Sequence, residues 1–387
     1  MQRRRFLEIS AGLTAAVTLL PEKAWSAAAP IVVVGGGIVG ASIAYHLVRR
    51  GARVTLCEKA RPAAGTTRNS FAWINATYSK QPRQYFDLNV AGMAGWRRLD
   101  MEFGGTLKVQ WGGCVEWYPA GTEAEALRKD VARAAQWGYD THLVDGGEMG
   151  RLLPPVLPGE VAAASFCEQE GTVDPVHATQ TIVERAKHMG ALVIYPCEVT
   201  GIVRAGKLVA GVETTVGALE ASAVVLAAGV DTQRVAAMAD VLVPLKDSPG
   251  VLAHTAPTQP VLYRVALGPK AHMKQNPDGR VVTGSDFGGT PITDTSRETG
   301  ERLLRNAVGY IADLAQAKLE NVTLGWRVMP KDEYPILGFA QSCPNLYIAA
   351  THSGVTLAPV IGQFAAAEIL DGARVDLLAP YRPARFA

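Results

Sequence analysis

The run Gly35-Gly36-Gly37-Ile38-Val39-Gly40 constrains this chain more than any other stretch. It follows Ile31-Val32-Val33-Val34, the all-apolar pattern of a parallel strand buried on both faces. Behind it, residues 41–50 place Ile43, Ala44, Leu47 and Val48 on one side of a helix, and Gly51 stops that helix. Residues 53–58 read as a second strand. Strand, glycine turn, helix and strand in this order form a βαβ start. Gly35 allows the tight turn, Gly37 lets a pyrophosphate approach the backbone, and Gly40 lets the helix pack on the strand. The helix start, with Ile38 and Val39, offers N–H groups and a partial positive charge to phosphates. Glu58 stands where a carboxylate takes a ribose hydroxyl, and Lys59 follows it. Alone, the motif specifies a dinucleotide without saying which one.

The chain ahead of this unit has a different character. Met1 to Glu8 is basic, residues 9–20 are mildly apolar, and Ser26-Ala27-Ala28-Ala29 is a run of small residues. That is the order of an export signal. The apolar part falls short of the roughly 20 residues needed to span a bilayer. Arg3-Arg4-Arg5-Phe6-Leu7 resembles the twin-arginine signal, which is a receptor-read address. The expectation is export to the periplasm; a basic tail on a cytoplasmic enzyme is the alternative. Residues 1–29 are therefore set apart from the fold.

At 387 residues the chain is long enough for two domains or one large α/β body. A net charge of +2 with no basic stripe gives no reason to expect nucleic acid. The five cysteines form no CxxC pair and their number is odd, so neither a metal site nor a disulfide framework can be read from them. Helices are expected at 83–100, 123–138, 176–189, 297–315 and 358–370. Strands are expected within 108–118, at 191–195, across 200–225, and at 346–350. The βαβ start and the strand–helix end belong to a doubly wound sheet, whereas the Trp- and turn-rich middle does not. The fold class is therefore α/β, with one nucleotide domain built from separated stretches and a mainly antiparallel β domain inserted.

Five further segments are similar to those of one family, in that family's order. Gly65-Thr66-Thr67-Arg68-Asn69-Ser70 is like the segment that wraps a pyrophosphate and flavin. Glu170-Gly171-Thr172-Val173-Asp174-Pro175 resembles an "EGxVDP" element. Glu198-Val199-Thr200-Gly201-Ile202 resembles a stretch whose Val backbone meets adenine. Val225-Leu226-Ala227-Ala228-Gly229 resembles a strand returning beside the cofactor. His352-Ser353-Gly354-Val355-Thr356-Leu357-Ala358-Pro359 is like the turn and helix beside the flavin pyrimidine. Together they resemble the D-amino acid oxidase, glycine oxidase and sarcosine oxidase family of flavoenzymes.

The resemblance implies a discontinuous Rossmann-like FAD-binding domain (30–105, 160–240 and 323–387) and a substrate domain (106–159 and 241–322). It implies FAD held by Gly35, Gly37, Ile38, Val39, Gly40, Glu58, Lys59, Thr66, Thr67, Asn69, Ser70, Val199, Ala228, Gly229, Gly354, Val355 and Thr356. Sarcosine oxidases of the family carry flavin on a Cys shortly before the C-terminal motif. Residues 321–342 hold no Cys and Cys343 lies beyond that place, so the expected FAD is non-covalent.

Gly325-Trp326-Arg327-Val328-Met329-Pro330 onward to Gly338 resembles the family's "GxRPxxxDxxPxIG", with Val328 in place of the usual Pro. The family Arg binds the substrate carboxylate, and a guanidinium suits that task because it grips with two prongs. The alternative for Arg327 is a structural pair with Asp332 or Glu333. Weaker candidates are His352 and Lys274, with His272 beside the latter and Trp326 and Tyr263 as apolar walls. The implied reaction is oxidation of a C–N bond next to a carboxylate, with dioxygen or a quinone as acceptor. The alternatives are a dehydrogenase feeding a quinone or carrier, an oxidase of secondary amines or cyclic imino acids, an electron-relay subunit, and an NAD-dependent dehydrogenase. Oligomeric state is not readable.

Overall fold

The computed structural model describes residues 30–77, 80–285 and 292–386. The expected export signal at 1–29 lies outside the described residues. The core of the nucleotide half is a six-stranded sheet. Its spatial order is Ile336–Phe339, Leu346–Ala350, Ala223–Leu226, Pro30–Val34, Arg53–Cys57 and Leu192–Ile194. All neighbours in it run parallel except the edge pair Ile336–Phe339 and Leu346–Ala350.

Side chains alternate across this sheet, as the strand period requires. Ile31, Val33, Val225 and Tyr347 face a helical layer made by Ile38–Arg49, Arg83–Glu102, Pro175–His188 and Gly354–Asp371. Val32, Val34, Leu226 and Ile348 face a three-stranded meander (Val199–Ala205, Leu208–Thr214, Gly217–Glu220) and the helix Thr232–Ala237. The helix Pro175–His188 starts cleanly because Asp174 Oδ1 accepts from the amides of Val176 (2.9 Å) and His177 (3.0 Å), with Pro at the first position. Helices approach closely around Gly354–Asp371. A Cβ on Gly92 would lie 2.5 Å from the Thr356 carbonyl oxygen, which fixes how near Arg83–Glu102 can come.

The second sheet has eight strands, in the order Leu319–Trp326, Pro249–Thr255, Val281–Gly284, His272–Gln275, Val265–Leu267, Cys114–Tyr118, Ala163–Cys167 and His142–Leu143. It is antiparallel except between Val265–Leu267 and Cys114–Tyr118. Its own core includes Trp117 stacked edge-on against Tyr310, at 5.2 Å between ring centroids. The strand Ala163–Cys167 lies beyond the boundary drawn at 160, and Leu319–Trp326 runs across the one drawn at 322. Chain and sheet thus change allegiance a few residues from where composition changes.

Other elements also differ from expectation. The helix expected at 297–315 ends at Val308, with Gly309 as its cap, and a separate 3-10 turn follows at Ala312–Gln316. The last helix begins at Gly354, ahead of the expected 358. All five cysteines are buried free thiols. Among the described residues no helix is long and apolar enough to cross a membrane.

Candidate active site

A cavity of about 400 Å³ opens at the carboxyl edge of the six-stranded sheet, where nucleotide-binding folds hold their ligands. Four adjacent strands deliver its wall in turn. Glu58 follows Arg53–Cys57, Gly35 follows Pro30–Val34, Ala227 and Ala228 follow Ala223–Leu226, and Thr351 and His352 follow Leu346–Ala350. Three strand spacings separate the first from the last, about 14 Å in all. The cavity is therefore long in the direction that a dinucleotide needs.

Two helix starts converge on it, Ile38–Arg49 and Gly354–Asp371, and neither has an acidic residue in its first turn. Both offer a positive partial charge. Gly35 turns with φ +106°, and a Cβ there would lie 2.4 Å from the Ala227 carbonyl oxygen. Gly40 does not line the cavity but supports it from beneath: its Cβ would lie 1.9 Å from the Gly35 carbonyl oxygen. The amide of Ile38 already donates to Thr67 Oγ1 at 3.0 Å, so that N–H is committed within the protein.

Glu58 is set by the backbone on both sides. Its Oε2 accepts from Gly36 N–H (2.7 Å) and its Oε1 from Ala60 N–H (2.9 Å). The carboxylate is thus aimed before any ligand arrives. Glu58→Ala should weaken FAD binding by about 10- to 150-fold, from ~1.5–3 kcal/mol for lost hydrogen bonds to a charged group. Titrating apoprotein with FAD checks this, and an unchanged dissociation constant would remove Glu58 from the site.

The segment Thr66 to Ser70 ties the two halves together. Thr66 Oγ1 donates to the Trp326 carbonyl at 2.8 Å, while Thr67 caps the glycine-turn helix. Asn69 packs against Gly325, where a Cβ would lie 2.6 Å from the Asn69 carbonyl oxygen. Val199 lines the cavity near Glu198, which pairs with Arg234 at 2.9 Å; Lys59 pairs with Asp231. Of the residues named from sequence as cofactor-binding, all line this cavity except Gly40.

The far end of the cavity holds Arg327 and His352. Arg327 comes directly after the strand Leu319–Trp326. Its backbone amide donates to the Ser248 carbonyl (2.8 Å) and its Nη1 to the Pro249 carbonyl (2.5 Å). Gly250 makes room for the guanidinium: a Cβ there would lie 2.8 Å from Nη2. The two carboxylates that sequence offered as structural partners are engaged elsewhere. Asp332 pairs with Arg385 at 2.7 Å and Glu333 with Lys246 at 2.6 Å. His352 has its pKa pulled down to about 3 by burial and by the charges of Lys80 and Arg327. It is a neutral imidazole throughout the physiological range.

Lys274 is not brought to this group. It is buried behind the cavity wall, donates to the Val173 carbonyl at 2.8 Å, and lies 5.9 Å from the centroid of the Phe71 ring, which does line the cavity. Burial pulls its pKa down to about 7. His272 on the same strand is also buried away from the lining, and Tyr263 is 71% exposed on the surface; only Trp326 of the expected apolar walls lines the cavity. Cys343 packs in the core away from it.

Among the lining residues that the sequence does not single out are Gly250 and Lys80. Neither sits in a motif. Lys80 precedes a helix, where a lysine normally faces water, and its burial depends on Ser353, distant in the chain.

These residues fit a flavin dinucleotide: glycines at which a Cβ would collide, two helix starts without an acidic residue in the first turn, and a pre-aimed ribose carboxylate along one cavity. The family model for FAD-dependent oxidoreductases (DAO) matches residues 30–368. The chain is 26% identical over 379 residues to a subunit of the opine oxidase of Agrobacterium tumefaciens (strain Ach5), covering 92% of this chain and 96% of that one. It is 24% identical over 376 residues to the mitochondrial dimethylglycine dehydrogenase of Mus musculus, covering 90% of this chain but 43% of that longer protein. The crystal structure of glycine oxidase from Geobacillus kaustophilus superposes with a TM-score of 0.82 at 22% identity, covering 92% of this chain and 99% of that one. The chain belongs to the DAO family of FAD-dependent oxidoreductases, and FAD is its cofactor.

Proposed function

We propose that this enzyme oxidises the C–N bond of an amino acid or related amine bearing a carboxylate. The observation that carries the reading is Arg327, seated over Gly250 at the wall of the cavity that His352 also lines. Arg327 grips the carboxylate with two prongs and thereby fixes the neighbouring carbon. Positive charge from Arg327 and Lys80 disfavours an ammonium, so the substrate amine is held in its neutral form, with its lone pair available. Neutral His352 adds one donor and one acceptor without adding charge. FAD, when bound, supplies the electron-pair acceptor. The substrate leaves as an imine, which water hydrolyses. Such a reaction needs positioning more than a protein acid or base.

The relatives support this class of substrate: one is named for an opine and another for dimethylglycine. Dioxygen and a quinone are the two acceptors in view. Peroxide formed under air identifies the first; dye reduction without peroxide identifies the second. The basic, apolar and small-residue order of residues 1–29 supports export by a twin-arginine-type route, with work in the periplasm. The reading as a whole is tested by anaerobic bleaching of the bound flavin against D- and L-amino acids, N-methyl amino acids and simple amines. If no member of the panel bleaches it, the reading fails, and an electron-relay role takes its place.

A further inference from the structure

Lys80 lines the same cavity as Arg327 and His352 yet is only 7% exposed. Its ammonium donates to Ser353 Oγ at 2.7 Å, a hydroxyl that also receives the Tyr85 phenol at 3.1 Å. The Tyr85 ring stands under it, 5.4 Å to the centroid. An ammonium has three donors, and a hydroxyl with a ring face satisfies only part of them. Burying it without an anion is costly.

The carboxylate that bears on it electrostatically is Glu170. Glu170 Oε1 accepts from the amides of Ala76 and Thr77, both at 3.0 Å, and from Thr77 Oγ1 at 2.7 Å, while its buried Oε2 makes no hydrogen bond to Lys80. Among the described residues no ion pair joins Lys80 to any acid. The described carboxylates that line the cavity are Glu58, Glu198 and Asp231. They stand with the ribose end, where Glu198 and Asp231 are paired with Arg234 and Lys59. Burial draws the Lys80 pKa to about 8, so it remains mainly charged at neutral pH. Lys80 and Arg327 both act on His352, which places two cations around one side chain.

We propose that Lys80 is a second anion anchor beside Arg327, and that the substrate is an amine carrying two carboxylates. This rests on the reading that Arg327 holds a substrate carboxylate. A substrate with one carboxylate occupies Arg327 and leaves Lys80 with no acid bonded to it, only the Glu170 carboxylate acting from a distance. A site built this way rejects the analogue that lacks the second acid, because the unpaired group bears the cost. The second carboxylate sits either on the amino acid side chain or on a substituent of the nitrogen.

The test uses the FAD-loaded full chain and two acids that are not oxidised, glutarate and butyrate, with binding read by calorimetry. The expected glutarate-over-butyrate preference is about 10- to 100-fold. It should fall to near unity in Lys80→Met and be largely kept in Lys80→Arg. Equal binding of the two acids by the unaltered protein, or a preference that survives Lys80→Met, would overturn the proposal. The unaltered protein alone decides the first point if the Met variant fails to fold. A second arm compares anaerobic flavin bleaching by glutamate and by N-(carboxymethyl)glycine with alanine and N-methylglycine. Faster bleaching by either dicarboxylate supports the proposal and says where the second acid lies; bleaching by monocarboxylates alone sinks it. If no amine bleaches the flavin while glutarate is still preferred, the oxidation reading has failed and the anion anchor stands.

Discussion

Gly40→Val should yield a colourless protein. The Cβ would lie 1.9 Å from the Gly35 carbonyl oxygen, and that oxygen belongs to the turn itself, not to a side chain able to swing away. The helix Ile38–Arg49 must therefore move off the strand Pro30–Val34, taking with it the amides that face the cavity. Overpacking of this kind costs about 3 kcal/mol. The loss of bound FAD removes its stabilisation as well, because a ligand that binds only the folded state adds to stability. Two measurements check the result: flavin absorbance of the purified protein and its denaturant midpoint. A yellow Gly40→Val protein with an unchanged midpoint would mean that the turn is not built as described.

Arg327→Ala should lower kcat/KM by about 10- to 150-fold, from ~1.5–3 kcal/mol for a lost charge-assisted hydrogen bond. Arg327→Lys should recover only part of that, since an ammonium is a point charge without the planar fork. The Ala variant also loses the contact to the Pro249 carbonyl, so its flavin content must be compared with the parent before the kinetics are read. Full flavin content with an unchanged kcat/KM would remove Arg327 from substrate binding.

Much of the nucleotide half is legible in the sequence because its signals are local. The strand Pro30–Val34, the glycine turn and the helix behind it lie within twenty consecutive residues. The helix Gly354–Asp371 starts four residues ahead of the expected 358. In the structure Ser353 takes a left-handed φ of +56° as the cap, and the helix starts beside it. The helix after Arg297 stops short of the expected 315, although Leu314 keeps the apolar period going across the break at Gly309. Site residues divide in the same way. Glu58 and Arg327 sit in motifs, whereas Gly250 has its role only because the strand Pro249–Thr255 pairs with Leu319–Trp326 and brings it under the guanidinium. Lys274 looked suitable from its strand, but it points to the Val173 carbonyl, one layer behind Phe71. Lys80 carries no local sign at all, since Ser353 and Tyr85 define its surroundings.

The most direct test of the central claim pairs an amino acid that bleaches the flavin with the amine left after removing its carboxylate. Rates of anaerobic flavin reduction are compared for the two in the parent protein and in Arg327→Ala. The account predicts that the parent strongly favours the acid and that the variant loses this preference. Equal rates for acid and amine in the parent, or a preference untouched by Arg327→Ala, would contradict it.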